Sequence, residues 1–200
     1  DSDDVVVADD MAEEVPVQSY EITVSNLTSN QPLSPLAIAM HDGNYSAWSI
    51  GGAASEGLEL LAEAGDGSTF LSSADTDGAY ATAAGTSVIL SGQQTTVEIE
   101  SVFYDDMQLT IASMLVNTND AFSGIKGVNV ADLEVGDQIS MLLPVYDAGT
   151  EMNSELAGTI PGPADGGTGF DATRDDVDFI SIHSGVVSQD DGLSSSVLTQ

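Results

Sequence analysis

The chain has 200 residues, a length that suits one domain built around a single hydrophobic core. Lys126 and Arg174 are its only basic residues against 33 acidic ones, so the formal net charge is −31. This balance excludes a nucleic-acid binder, because phosphate contacts need Lys and Arg, and it argues against adsorption to anionic lipid. The absence of cysteine excludes disulfides and thiolate metal sites, and no apolar run approaches the roughly 20 residues of a membrane span.

The scarcity of lysine indicates an unusual solvent. An acidic protein ordinarily pairs many of its acids with lysines, and this chain has one lysine. We interpret this as adaptation to high salt, where charges are screened beyond roughly 3 Å at 1 M; a marine secreted protein with an acidic bias is the alternative. The chain begins at Asp1 rather than Met, so we expect a mature, secreted protein whose signal peptide has been removed.

The N-terminal third begins with an acidic segment and continues with strand patterns. Residues 1–16 are acidic around the short apolar run 5–7, which could not build a core alone. From Val17 onward, apolar and polar residues alternate with a period of two, which predicts a half-buried strand. A second short strand or extended run is predicted over 34–40.

One helix is predicted, over 53–64. The apolar face of this helix begins with Ala54 and Leu58 and continues with Leu61 and Ala62. Glu59 and Glu63 fall off that face. Gly65 is a typical helix stop, and a loop rich in Gly, Ser and Asp is predicted over 65–79.

The remainder of the chain predicts strands and turns. The predicted strands cover 86–90, 95–103, 108–116, 138–143 and 179–187. A hairpin turn is predicted at 91–93, between the first two of these strands. The segment 147–176 is rich in turn residues, and 188–200 is a polar tail. About seven short strands at this spacing predict an all-β, antiparallel Greek-key β-sandwich over 17–187 with one short helix.

The sequence contains no motif of a common enzyme class. His41 and His183 are the only histidines, and no GxSxG, HExxH or GxxxxGK[ST] run is present. We expect both histidines to be structural or superficial. Paired carboxylates carry little information in a chain with 33 acids. We therefore expect a protein that is not an enzyme.

Two acidic loops are candidates for binding calcium. One contains 117–120 and follows a predicted strand; the other contains 147–151 (DAGTE) and follows the apolar run 142–146. Ca²⁺ takes six to eight oxygen ligands, which Asp- and Asn-rich loops supply. If both loops lie at one end of the sandwich, Asp120, Asp147 and Glu151 converge there.

Much of the chain, about 18–187, resembles the spondin N-terminal domain family of F-spondin and mindin. The matching runs are, in order, YEITVSNLT from Tyr20, QPLSP from Gln31, His41, Trp48, GLELLAEAG from Gly57, SML from Ser113, NDAFSG from Asn119, DAGTE from Asp147, and Ile160-Pro161. The order of these runs is specific, although no single run is.

The resemblance implies a fold similar to calcium-dependent membrane-binding domains, with one Ca²⁺ held by three acids. Those acids correspond to Asp120, Asp147 and Glu151, and the last is usually Asp in the animal proteins. The cysteines and accessory adhesion modules of the animal members are absent from this sequence, so integrin or matrix binding transfers poorly.

Further expectations concern the function of the chain, Trp48 and glycosylation. The favoured function is a calcium-stabilised cell-surface or extracellular-matrix adhesion module. The alternative is a subunit of an extracellular homopolymer, such as a filament, in which the N-terminal segment adds a strand to a neighbouring copy. Trp48 is expected to be a core or loop anchor rather than a stacking platform. Two N-glycosylation patterns begin at Asn26 and Asn44.

Overall fold

The computed structural model describes residues 15–199. Within this range the chain forms eight strands and two helices: β1 Val17–Ser25, β2 Ala37–His41, α1 Glu56–Ala64, α2 Ser68–Thr76, β3 Ala81–Ala84, β4 Gln94–Val102, β5 Gln108–Met114, β6 Ala121–Asn129, β7 Val145–Asp147 and β8 Ser181–Ile182. The predominance of strands, all paired antiparallel, confirms the predicted all-β sandwich.

The strands form two sheets of unequal size. The smaller sheet pairs β1 with β4, in a continuous register from Val17↔Val102 to Ser25↔Gln94. The larger sheet has six strands in the order β3-β2-β5-β6-β7-β8. Its middle strands are therefore covered on both sides, as their burial shows: every residue of β2 is buried.

Two apolar clusters lie on opposite faces of the six-stranded sheet. Ile38 and Met40 of β2 point to the face covered by the smaller sheet, where they join Ile22 and Ile99. Ala37 points to the other face, where the two helices contribute a second cluster of buried residues: Leu58, Leu61, Ala62 and Phe70. The alternation along β2 follows from the period of two in a strand. The domain thus has three layers: small sheet, large sheet, helices.

The helical layer differs from the prediction in two respects. The predicted helix 53–64 begins at Glu56, because Ser55 is its N-cap and accepts a hydrogen bond from Leu58 N at 3.2 Å. A second helix, α2, occupies the predicted loop 65–79, so the prediction of one helix was wrong. The buried pair Phe70 and Ala74, one turn apart, defines the packed face of α2. These two apolar positions in a polar stretch gave too weak a pattern.

Several strand predictions were also wrong. Residues 86–90 form only an isolated bridge between Ile89 and Leu33, and β4 pairs with β1, so no hairpin forms at 91–93. Residues 138–143 are irregular, because the edge of β6 is paired by Val145–Asp147 instead. In contrast β6, where no strand was predicted, is a nine-residue strand. Of 179–187, only Ser181–Ile182 pairs.

The two ends of the chain were predicted to be an N-terminal docking segment and a polar C-terminal tail. The predicted docking segment 1–14 lies outside the described residues. Residues 188–199 fold back on themselves, since Gln189 N donates to Leu198 O, and they contact an earlier loop, where Val197 N donates to Glu155 O; Leu198 is buried. None of the helices in the described range has the length and apolar character needed to cross a membrane.

Candidate functional site

The topology brings the two predicted acidic loops together. Asp120 directly precedes β6, and Asp147 is the last residue of β7. These strands are antiparallel neighbours with Ala121 opposite Asp147, so the start of one lies beside the end of the other. Ala148 N also donates to Asp120 O at 3.2 Å. The expected convergence of the loops at one end of the sheet is therefore present.

The first loop is stabilised by its own side chains and by a neighbouring segment. Thr118 Oγ1 donates to Leu115 O at 2.6 Å and accepts from Ala121 N at 3.0 Å, which closes the turn before β6. Asn117 Oδ1 accepts from Ala164 N at 3.0 Å, and Asn119 Nδ2 donates to Thr159 Oγ1 at 3.0 Å. These contacts fix the backbone around Asp120.

The second loop depends on Gly149. Its φ is +72°, in the left-handed region, and an added Cβ would lie 2.3 Å from Phe179 O. The loop is bonded to a following segment, since Asp178 N donates to Gly149 O at 2.8 Å and Asp175 N donates to Thr150 O at 3.1 Å. Residues 175–179 thus act as a backing for 147–151.

Asp120 connects the two loops through one of its carboxylate oxygens. Oδ2 accepts from Thr150 N at 2.8 Å, from Glu151 N at 3.1 Å and from Thr150 Oγ1 at 3.3 Å. The other oxygen, Oδ1, is buried and has no hydrogen-bond partner. Asp120 as a whole is fully buried. A buried carboxylate oxygen without a donor is costly, so this atom calls for compensation by a proton or by another group.

Asp147 and Glu151 differ in how far their oxygens are already engaged. Asp147 Oδ1 accepts from Gly149 N at 2.8 Å, and its Oδ2 accepts from Asn153 Nδ2. Glu151 has a buried oxygen, Oε2, with no partner. The backbone N of Glu151 donates a hydrogen bond to Asp120, so the two unpartnered oxygens belong to residues that are in direct contact.

Sequence reasoning missed a fourth carboxylate, Glu63, in the last turn of α1. It was expected off the packed face, but the structure buries it completely, and it buries Glu59 nearly so. Glu63 Oε2 accepts from Asp171 N at 3.0 Å, whereas Oε1 is buried without a partner. The available signal was positional: Glu59 and Glu63 directly follow Leu58 and Ala62, so both border the apolar face.

Burial and nearby negative charge raise the pKa of Asp120, Glu151 and Glu63. Burial, and secondarily Asp147, raises the pKa of Asp120 to about 7. Burial raises the pKa of Glu151 to about 8, and Glu63 is the largest of the charges that add to this shift. The pKa of Glu63 is also raised, chiefly by burial. The four side chains therefore form an acidic cluster: Glu63, Asp120, Asp147 and Glu151.

The two basic residues of the chain do not neutralise this cluster. Arg174 pairs with Glu59 and Asp178, with N–O distances of 2.6 Å in each pair. Lys126 Nζ donates to Ser46 Oγ at 3.1 Å. Since the sequence has no other Lys or Arg, no lysine or arginine compensates the negative charge of the cluster.

The donor set of the acidic cluster fits a hard cation. Carboxylate oxygens are the ligands that Ca²⁺ prefers, and buried, unpartnered oxygens on Asp120, Glu151 and Glu63 remain available. Among residues 15–199, however, no group of three or more His, Cys, Asp or Glu side chains has the arrangement of a formed metal site. Asp147, with both oxygens hydrogen-bonded, would have to exchange the amide of Asn153 to act as a ligand.

The other singled-out residues are structural. His41 is buried, with Nδ1 2.6 Å from Asp42 O and Nε2 2.7 Å from Thr110 Oγ1. Trp48 is buried against Phe122 and Tyr146, which confirms a core anchor.

The two glycosylation patterns differ in exposure. Asn26 is buried, and its Nδ2 donates to the carbonyls of Gln31 and Ile89, so this nitrogen is engaged in the folded domain. Asn44 is exposed, and its Nδ2 donates to Asp42 Oδ2 at 2.9 Å.

Comparison with known proteins supplies the family. The sequence model of the Spondin_N family matches residues 25–157, well over half of the chain. The match contains both loops of the acidic cluster and the whole of α1. A search of curated proteins finds no match to this sequence.

Proposed function

This chain belongs to the spondin N-terminal family, and from that membership we propose that it is a non-catalytic, secreted module that binds calcium through Asp120, Asp147 and Glu151. The domain of this family is typically extracellular. The proposed role is structural or adhesive, at the cell surface or in the extracellular matrix, with the ion stabilising one end of the sandwich.

The observation that supports calcium binding is the pair of buried, unpartnered oxygens at the meeting point of the two loops. Asp120 Oδ1 and Glu151 Oε2 face no protein donor, although both side chains come from adjacent loops. In an ordinary acidic surface, such oxygens would be hydrated and widely spaced. Here they are withdrawn from water beside Asp147, which raises the pKa of Asp120. A divalent cation would offset both the burial and the repulsion.

The residues divide the work of the site between them. Asp120 holds the second loop through three hydrogen bonds to Oδ2 and leaves Oδ1 for the ion. Glu151 supplies the longer side chain, and Gly149 allows the turn between Asp147 and Glu151. Calcium supplies the positive charge that the chain itself lacks at this place. Binding would thus cross-link β6 and β7 at their shared end.

The test is calcium binding by titration calorimetry in molar NaCl, with Asp120→Asn as the loop variant. We expect wild-type protein to bind one Ca²⁺ and Asp120→Asn to lose most of that affinity. A matched control is Asp132→Asn, which changes an exposed acid outside the cluster. If wild-type protein binds no calcium, or if both variants weaken it equally, the acidic cluster is not a specific site.

The alternative function, a subunit of an extracellular homopolymer, is favoured by the smaller sheet. It has only two strands, β1 and β4, so within residues 15–199 each keeps one edge without a strand partner. Val15 and Val17, which lead into β1, are 60% and 62% exposed. An unpaired edge of this kind accepts an added strand from another chain.

Deletion of residues 1–14 tests this alternative. We expect the full chain to form higher-order species in molar salt with calcium, as measured by sedimentation and electron microscopy, and the truncated chain to stay monomeric. A truncated chain that assembles equally well would remove the N-terminal segment from the proposal. A full chain that stays monomeric under these conditions would remove assembly altogether.

A further inference from the structure

Glu63 occupies a position that neither of the two calcium loops explains. It lies in the last turn of α1, one residue before the helix ends at Ala64, and is fully buried. Its Oε2 accepts from Asp171 N, and Oε1 has no partner. Burying a carboxylate in this way is costly unless a proton or a cation compensates it.

The direction of Glu63 can be inferred from its neighbours. Among the charges that act on Glu151, Glu63 has the largest effect, larger than that of Asp120. Thr150, the residue before Glu151, is close enough to Glu63 for its side chain to interact. Three buried oxygens without partners therefore belong to one neighbourhood: Asp120 Oδ1, Glu151 Oε2 and Glu63 Oε1. Beyond these acids, the indole nitrogen of Trp48 is the only buried side-chain nitrogen or oxygen without a partner among the described residues.

We propose that Glu63 is a fourth carboxylate of the divalent-cation site, so that a bound Ca²⁺ joins helix α1 to the two loops. This inference rests on the proposed function and extends it from a link between loops to a link between the helical layer and the sheet. The remaining oxygens favour it: Asp120 offers one free oxygen and Asp147 none without exchange. Six to eight ligand positions must be filled around Ca²⁺.

The competing explanation is a proton shared between Glu63 and Glu151. Two buried carboxylates can hold one proton between them, and no cation is then needed. The two explanations differ in what happens to helix α1 when calcium is added. If a proton is shared, adding calcium should release that proton and leave α1 unchanged. The proposed link predicts instead that calcium stabilises the last turn of α1.

The experiment compares Glu63→Gln with Glu56→Gln, both on α1 and both removing one negative charge. Glu56 is exposed in the first turn, so it is the matched control for charge. In calorimetric titrations with CaCl₂ in molar NaCl, we expect Glu63→Gln to weaken calcium binding by about tenfold or more, and Glu56→Gln to leave it unchanged. In chelator, we expect Glu63→Gln to be more stable than wild type, because a buried charge is removed.

The variant should thus bind calcium more weakly and yet be more stable in chelator, and this combination distinguishes a ligand from a merely structural residue. A structural role would change the melting temperature equally with and without calcium, and it would leave calcium affinity intact. That outcome would overturn the proposal. If wild-type protein itself binds no calcium, the proposed function fails; if wild type binds and Glu63→Gln binds equally well, only the role of Glu63 fails.

A measurement on wild-type protein covers the case in which Glu63→Gln does not fold. Amide hydrogen exchange of residues 59–66 is followed with CaCl₂ and with chelator. We expect calcium to slow exchange in this last turn as well as in 147–151. Protection confined to 117–120 and 147–151, with no change in α1, would overturn the link.

Discussion

Substituting Gly149 by Ala should destabilise the domain more than an ordinary glycine substitution. At φ +72° an L-residue costs about 1 to 2 kcal/mol. The added Cβ would also lie 2.3 Å from Phe179 O and 2.9 Å from Phe179 C and N, which are backbone atoms that no rotamer change can move. Shifting the backing segment adds about 1 to 3 kcal/mol. We expect a total near 4 kcal/mol, or about 10 °C in melting temperature for a domain of this size.

Gly92→Ala is the matched control for this prediction. Gly92 has a φ of +77°, close to that of Gly149, but an added Cβ would meet nothing within 4 Å. This variant should lose only the conformational part, about 1 to 2 kcal/mol. Chemical denaturation of both variants in molar salt with saturating CaCl₂ gives the difference. Equal losses would show that the contact with Phe179 does not constrain the loop 147–151, and would refute the reasoning.

Three further predictions concern charge. In chelator, the domain should become more stable as the pH falls from about 9 to about 6. The reason is that the folded-state pKa values of Glu151 (about 8) and Asp120 (about 7) are raised. The folded state therefore binds these protons more tightly than the unfolded state does. In saturating calcium the domain should instead become less stable as the pH falls, since protons compete with the ion. Identical pH profiles with and without calcium would contradict this. Arg174→Gln should lower the free energy of unfolding by about 2 to 3 kcal/mol, which is below the loss typical of a fully buried pair because Arg174 is 27% exposed. Lys126→Gln should cost almost nothing. Equal losses in urea denaturation would show that the buried Glu59 does not need its partner. The domain should also melt at a lower temperature in dilute buffer than in molar salt, with divalent ions chelated in both, because the net charge is −31; equal midpoints would show that repulsion is not a burden.

The sequence predicted the sandwich because strand periodicity is local. β1, β4 and β5 alternate between apolar and polar residues over seven to nine positions, and each was predicted close to its observed bounds. β6 was missed because it carries Gly124, Lys126 and Gly127, which weaken the strand pattern. It is a strand because β5 and β7 both pair with it.

The candidate site was predictable only in part for a similar reason. Asp120, Asp147 and Glu151 lie in loops that directly adjoin strands, and antiparallel pairing brings such loops together. Glu63 could not be assigned from periodicity, because the helical pattern locates an apolar face but not its edges. The backing segment 175–179 forms no named strand or helix, so its contacts with Gly149 and Thr150 depend on the tertiary structure alone.

Burial, rather than acidity, separates this cluster from the rest of the surface. With 33 acids in the chain, proximity of carboxylates is expected by chance and carries no information. Exposed carboxylates are hydrated, and molar salt screens their repulsion beyond roughly 3 Å. Neither water nor mobile salt ions reach Asp120 Oδ1 or Glu63 Oε1 in the same way, because both atoms are buried. High salt can therefore relieve the surface charge of the domain without relieving the cluster. A bound divalent ion would therefore still have a distinct stabilising effect in molar salt.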